Sequence, residues 1–374
     1  MKVTVNLKWL FISISCVYFA FTLFRILATF HLQDFAVYYQ AVQLFVKGQN
    51  SYASTLDFNY PPTALFFFLP FGLFPFVFAE KVWTVGSVVA FVVSIYLLCK
   101  LASQKFYWLD FLLLVSFSIL AFPLKFTLGL GQVNLFILLF LSLNIYFYLK
   151  QKQYASGVML GLSIAIKITP LILLVYFFKK KDGQKVLLSC IITLFIVFLT
   201  SYLISGDLVF QYFFKILPNV PSATNSIYYN QSLLGFFARL HLDEAGRLFN
   251  FFIFGLLLIL SYLFTKKSKR SPQKEIVEYS LFLVTILIGG GFSWQHHFVT
   301  LIIPFVAVWY FLKKITNSLE KYKLLFMVLV SYVLVVINIK NPQGFSGIST
   351  LALSHVLYGS VILWFILRKF TIHE

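Results

Sequence analysis

The sequence predicts an all-α polytopic membrane protein, on three observations. Of its 374 residues 60% are hydrophobic and 20% aromatic, while only 11% are charged. Apolar runs near the ~20 residues that a span needs recur along the chain. Lysines and arginines gather in short clusters between those runs, where their bias sets membrane orientation. A water-soluble domain would leave much of this surface exposed, whereas a bilayer is a good solvent for it. The net charge of +18 invites a nucleic-acid reading, and the clustering argues against it. Cys16, Cys99 and Cys190 each sit inside an apolar run without CxxC spacing. Neither a disulfide framework nor a zinc site is indicated.

In chain order, Trp9–Phe30 behind Lys2 and Lys8 reads as a retained signal-anchor helix with a cytoplasmic N-terminus. Thr63–Ala79 is apolar but interrupted by Pro70 and Pro75. Further runs occupy Val82–Cys99, Leu109–Pro123, Gln132–Leu149, Tyr154–Phe178, Val186–Ile204, Leu248–Thr265, Ile276–Phe292, Phe298–Leu312, Leu324–Asn338 and Ile348–Leu367, twelve apolar segments in all.

Three basic clusters should face the cytoplasm: Lys179, Lys180, Lys181 and Lys185; Lys266, Lys267, Lys269, Arg270 and Lys274; Lys313, Lys314, Lys321 and Lys323. If every segment crossed, Lys100 with Lys105 and Lys150 with Lys152 would lie outside. Both conflicts vanish if Thr63–Ala79 and Tyr154–Phe178, the latter carrying Lys167-Ile-Thr-Pro170, enter and leave on the same side. Ordinary proline-kinked spans are the alternative. The expectation is about ten full spans plus two bent or re-entrant segments, in a single membrane domain over residues 1–374 with both termini cytoplasmic. Residues 31–312 would hold the catalytic motifs and 313–374 the C-terminal helices. The two halves of the chain do not match each other, which weighs against an inverted-repeat transporter. The outer face would then combine the loop after the first helix, the Lys125–Gln132 turn, a long Ser205–Arg247 loop, the Gly289–His297 turn and the Lys340–Gly347 turn.

The chemistry starts from a search for a general base among only 12 carboxylates. The outer ones would be Asp34, Asp57, Glu80, Asp207, Asp243 and Glu244. Only Asp34 directly follows a span and sits in an aromatic stretch, with Tyr38 and Tyr39, where partial burial would raise its pKa toward a useful value. From spacing alone a helix cap over Phe35–Lys47 is an equal reading. Tyr60 follows in Asn59-Tyr60-Pro61-Pro62. Gly129, Gly131, Gln132 and Asn134 supply close backbone approach and amide partners of the kind sugar hydroxyls need, or else ordinary polar helix packing. Trp294-Gln295-His296-His297 opens an apolar run. Adjacent histidines face different ways and make a poor metal pair, but one could stabilise a leaving phosphate, an interfacial aromatic belt being the alternative. Asn230, Gln231 and Ser232 lie in a loop of the length typical of lids and binding elements. Lys125 and Lys167 are basic residues outside the cytoplasmic clusters, functional if buried and snorkelling if not.

The order Asp34-Phe-Ala-Val-Tyr-Tyr, Tyr60-Pro-Pro, Gly131-Gln-Val-Asn, Lys167-Ile-Thr-Pro, Asn230-Gln-Ser-Leu and His296-His-Phe with a following Pro304 resembles glycosyltransferase family 87. These are polytopic enzymes of GT-C type that include polyprenol-phosphate-mannose-dependent α-1,2-mannosyltransferases. The resemblance spans Asp34 to Pro304. It implies a GT-C-type fold, Asp34 as catalytic base and a lipid-phosphate sugar donor in a groove open to the bilayer, with no nucleotide sugar. Many GT-C enzymes carry paired acids in the first outer loop, whereas Phe35 follows Asp34 here.

The expected reaction is a single inverting displacement at the extracytoplasmic face of a bacterial inner membrane. It would move a hexose, mannose by family preference, from a polyprenyl-phosphate sugar to a hydroxyl of a glycolipid or glycan acceptor. Lys125, Lys167, His296 and His297 are candidates for the donor phosphate; Tyr38, Tyr39, Tyr60, Gln132, Asn134, Asn230 and Gln231 for sugar or acceptor. No metal, further cofactor or nucleic-acid partner is expected beyond membrane lipids and these substrates. A secondary transporter or flippase of a lipid-linked saccharide predicts flux without a covalent product, and a non-catalytic scaffold predicts that Asp34 is freely replaceable.

Overall fold

The computed structural model describes residues 6–29, 31–52, 57–103, 105–220, 228–268 and 270–372. Lys2, Phe30 and Lys269, and the 221–227 part of the Ser205–Arg247 stretch, lie outside the described residues. Among the described residues all regular structure is helical, apart from one isolated antiparallel bridge between Asn230 and Trp294.

The helices are α1 (Leu7–Thr29), α2 (Gln33–Val46), α3 (Ala64–Gly72), α4 (Phe76–Ala102), α5 (Trp108–Leu120), α6 (Phe122–Leu130), α7 (Asn134–Leu149) and α8 (Gln153–Ile166). They continue with α9 (Leu173–Lys179), α10 (Gly183–Gln211), α11 (Leu233–Arg239), α12 (Asp243–Phe264), α13 (Pro272–Gly289), α14 (Ile302–Leu312), α15 (Ser318–Val336) and α16 (His355–Ile372). Among the described residues six helical stretches are long and apolar enough to cross a membrane: Leu7–Ala28, Phe76–Ala102, Gly183–Ile216, Asp243–Phe264, Gln295–Leu312 and Gly347–Ile372. The number rises to seven if α5 and α6, bent by 68° at their junction, count as one span.

The breaks have local causes. Pro75 precedes α4 rather than interrupting a longer helix, because a proline with fixed φ and no N–H is tolerated where a helix begins. Residues 76–79 therefore belong to α4 and not to the preceding segment. The α5–α6 bend falls at Ala121, whose backbone is extended, with Pro123 in the first turn of α6, where the sequence predicts one unbroken run over Leu109–Pro123. Tyr154–Phe178 does break where expected: Lys167 is extended, Thr169–Ile172 forms a 3₁₀ turn, and α9 follows. The ring of Phe177 near the end of α9 lies 5.3 Å from that of Tyr148 near the end of α7, so the ends of these two helices pack together. The stretch expected as a long Ser205–Arg247 loop is partly helical, since α10 continues past a non-helical Ser205 to Gln211 and α11 follows at Leu233.

At the centre stands α13, buried at every position from Glu275 to Gly289, as a helix apolar on all faces must be. Its first turns carry two acids into the interior, and burial requires that they be paired. Lys180 Nζ donates to Glu275 at 2.9 Å and Glu278 at 2.5 Å, and the Tyr176 hydroxyl donates to Glu275 at 2.6 Å. Further ion pairs tie helix ends together, Asp110 of α5 to Lys313 after α14 and Glu320 of α15 to Lys369 of α16. Close packing of α8 on α10 depends on Gly157 and Gly161, four residues apart. A Cβ at Gly157 would come within 2.3 Å of the Val186 carbonyl oxygen, a small-residue contact common between membrane helices.

Candidate active site

The site assembles where α2, the α6–α7 turn, the α8–α9 break and the Trp294–His297 segment meet. Gly131 ends α6 in the left-handed conformation, φ +72°, with the Gln132 N–H donating back to the Thr127 carbonyl at 2.9 Å. Glycine is the residue that adopts this geometry without steric cost. The turn lies against the start of α2, since a Cβ on Gly131 would stand 2.7 Å from Leu32 Cβ and 2.8 Å from Phe35 Cβ.

That contact delivers Gln132 to Asp34. Gln132 Nε2 donates to Asp34 Oδ2 at 2.6 Å, while Gln132 Oε1 accepts from the hydroxyls of Tyr38 at 2.9 Å and Tyr60 at 2.8 Å. The two hydroxyls are 2.9 Å apart. Asp34 and Tyr38 are four residues apart on α2 and share one face. Asp34 does not cap the helix: α2 begins at Gln33, Leu32 is its N-cap, and the acid falls in the first turn with its side chain directed to Gln132. Burial raises the Asp34 carboxyl from 3.8 to about 6, against the lowering effect of the Gln132 hydrogen bond and of the Lys167 charge.

Lys167 comes to the same place. The α8–α9 break points its Nζ at Asn134 Oδ1, 2.8 Å away, and 5.9 Å from the centre of the Tyr60 ring. Asn134, the first residue of α7, also donates to the His296 carbonyl at 3.3 Å, and Thr127 donates to that carbonyl at 3.0 Å. Gln132 and Asn134, two residues apart on one turn, thus carry two sets of contacts, the first to Asp34 and the tyrosines and the second to Lys167 and the histidine segment. His296 and His297 are buried with ring centres 4.4 Å apart and nearly perpendicular. Lys167, His297, Asn134, Ser293 and Thr300 line a small cavity of about 40 Å³.

The remaining sequence candidates stand elsewhere or have other partners. Lys125 is exposed on α6, its Nζ 5.9 Å from the Tyr18 ring centre. Tyr39 points away from Asp34, its hydroxyl donating to the Phe74 carbonyl at 2.9 Å. Gln231 donates to the carbonyls of Tyr228 and Leu353, both at 2.7 Å, and accepts from the Val356 N–H at 3.1 Å. Asn230 accepts from Ser232 Oγ at 2.8 Å and donates to the Gly291 carbonyl at 3.2 Å. Backbone bonds from Gln231 to Ser293 and from Gln295 to Tyr229, 2.8 and 2.9 Å, make this segment the strap that holds Trp294–His297. Thr127 and Trp83 were missed by the sequence reading. Their one visible signal is position, Thr127 one helical turn before Gly131 and Trp83 one turn after Glu80 on α4. Among the described residues no group of three or more His, Cys, Asp or Glu could hold a metal ion.

An all-helical membrane protein with a half-buried acid, a lysine and two histidines converging on one amide-and-tyrosine network has the equipment of a transferase that handles a polar substrate at a lipid boundary. Residues 58–288 match glycosyltransferase family 87, and the chain belongs to that family and is a glycosyltransferase. Asp34 and the two histidines lie just outside the matched residues. A polyprenol-phosphate-mannose-dependent α-(1-2)-phosphatidylinositol mannoside mannosyltransferase of Mycobacterium tuberculosis is 23% identical over 331 residues, 81% of this chain and 75% of that one. A polyprenol-phosphate-mannose-dependent α-(1-2)-phosphatidylinositol pentamannoside mannosyltransferase of Mycolicibacterium smegmatis is 27% identical over 258 residues, 66% of this chain and 60% of that one. Among solved structures, ArnT from Cupriavidus metallidurans in the apo state aligns with a TM-score of 0.41 and 13% identity, over 99% of this chain and 78% of that one.

Proposed function

We propose that this protein transfers a mannosyl group from a polyprenyl-phosphate sugar to a hydroxyl of a lipid-linked or glycan acceptor, with Asp34 as general base. The observation that carries this is the Asp34–Gln132 pair, 2.6 Å apart, with Lys167 on the neighbouring Asn134. A carboxyl held near pKa 6 is ionised at neutral pH yet basic enough to take a proton in the transition state. The named activities of the mycobacterial relatives support this donor and a lipid-linked acceptor.

In the proposed step the acceptor O–H gives its proton to Asp34 as its oxygen bonds to the anomeric carbon. The bond from that carbon to the phosphate oxygen breaks on the opposite face, inverting the configuration. Lys167 and one of His296 and His297 offset the charge that gathers on the departing prenyl phosphate. The buried Nδ1 of His296 has no hydrogen-bond partner among the described residues and suits that task. Gln132 and Asn134 orient hydroxyls of the sugar, Tyr38 and Tyr60 shape the acid's surroundings, and the Asn230–Gln231 strap keeps the histidines in place. An apolar groove of about 170 Å³ between α5, α6, α14 and α15, lined by Leu114, Pro123, Phe298, Phe305, Leu329 and others, supports a seat for the prenyl chain. Phe298 lies two residues beyond His296, so a chain in this groove would leave its phosphate beside the histidines.

The basic clusters support an orientation with both termini in the cytoplasm and the Asp34 end outside, in a single membrane domain with about ten crossings and two re-entrant segments. The test of the donor is direct. Purified enzyme should form a glycosylated product with polyprenyl-phosphate-mannose and a phosphatidylinositol-type glycolipid, and none with a nucleotide sugar alone. Product from the nucleotide sugar and not from the lipid donor would refute the reading.

A further inference from the structure

Leu32, the N-cap of α2, carries no side chain able to accept a hydrogen bond, so the first N–H groups of the helix that bears Asp34 need a partner from elsewhere. Glu80 of α4 supplies one for the Leu32 N–H, which its Oε1 accepts. Its carboxylate is nearly buried, at 8% exposure, and stands at the positive end of α2, where a negative charge is favoured. One turn further along α4, the indole Nε1 of Trp83 donates to the Gly131 carbonyl at 2.8 Å. Trp83 is fully buried, with its ring centre 5.2 Å from that of Phe35 on α2. One helix therefore grips both partners of the Asp34–Gln132 bond, each next to the residue that makes it: Leu32 is two residues before Asp34, and Gly131 immediately precedes Gln132.

We propose that Glu80 and Trp83 are positioning residues that set the distance and angle between Asp34 and Gln132. The proposal rests on the reading of Asp34 as base. Residues 80 and 83 are on the same face of α4, and α4 is a helix of 27 residues; its stiffness makes the pair a fixed gauge. Glu80 acts as a hydrogen-bond acceptor and helix-end partner and takes no proton from substrate.

The test is a set of variants assayed for turnover with a polyprenyl-phosphate-mannose donor, alongside wild type and Asp34→Asn. Glu80→Leu should lower kcat by roughly 10-fold to 100-fold with little change in KM, the scale of loss for a reacting group displaced by about 1 Å. Glu80→Gln keeps an acceptor oxygen and should restore most of that loss. Trp83→Phe keeps an aromatic ring but removes the N–H donor, and should lower kcat in the same manner. The decisive readout is the cycle with Gln132→Leu. Once the Asp34–Gln132 bond is gone, Glu80→Leu and Trp83→Phe should each cost less than about threefold, since residues acting through one contact are not additive. Full additivity would overturn the proposal, as would a Glu80→Gln variant as impaired as Glu80→Leu, which would make Glu80 an acid in its own right. If Glu80→Leu does not fold, the Trp83→Phe arm of the cycle decides. An Asp34→Asn enzyme with wild-type activity would sink the base assignment instead, and wild-type protein without product would sink the donor reading.

Discussion

At the residue scale the account turns on Asp34. Its carboxyl is held near pKa 6 chiefly by burial, so the ionised fraction needed for catalysis falls below that pH. The rate should drop about tenfold per unit on the acid side. The Gln132 hydrogen bond lowers the pKa, so Gln132→Leu should move the acid limb upward in pH; a limb that stays put or moves down would show that the bond does not tune the acid. Spacing alone left Asp34 balanced between cap and base. The cap reading falls because Leu32 is the N-cap and the acid instead meets a glutamine amide at a separation of 98 residues, a contact that no local pattern encodes. Lys167 was legible as a charge inside an apolar run. Asn134 was named as a candidate too, but its pairing with Lys167 was not legible, because a 3.6-residue periodicity says which face a residue occupies but not which neighbour it meets.

At the scale of elements, composition revealed the helices and proline positions revealed two of the three breaks around the site. The α5–α6 bend at Ala121 escaped because an apolar run with a proline near its end reads equally as a finished span. The stretch after Ser205 escaped because Ser205, Gly206 and Asp207 read as the start of a loop, while the chain kinks at Ser205 and becomes helical again to Gln211. The groove between α5, α14 and α15 is formed by residues from separate helices, and it gives a prediction at this scale. Leu329 lines it from α15 and is 56% exposed, so Leu329→Trp should fold normally. It should raise the KM for a long-chain polyprenyl donor several-fold and leave a short-chain analogue nearly unaffected. Equal KM changes for both donors would remove the prenyl chain from that groove. The buried Lys180 with Glu275 and Glu278 holds α9 to α13. Lys180→Met removes the cation that the two buried acids share, leaving Glu275 with the Tyr176 hydroxyl and Glu278 with Arg270 at 3.6 Å, and should cost about 3 kcal/mol, read from denaturation in detergent.

At the scale of the whole molecule, the sidedness implied by the lysine clusters is open to labelling. In a cysteine-free background, a membrane-impermeant thiol reagent applied to intact cells should modify Gln33→Cys, at the exposed start of α2, and spare Lys181→Cys, exposed beside the Lys180 cluster. The reverse pattern would put the site on the inner face. The central claim, that the bundle is built to hold one acid as a base, is tested most directly by Asp34→Asn. A raised carboxyl pKa means that above about pH 6 the ionised acid is disfavoured by the fold relative to the unfolded chain, and the amide relieves this. Purified Asp34→Asn enzyme, given polyprenyl-phosphate-mannose and a glycolipid acceptor at pH 7.5, should lose turnover by roughly 100-fold or more with a Tm equal to or above wild type. Wild-type turnover in that variant, or a collapse of its Tm that accounts for the lost activity, would contradict the account.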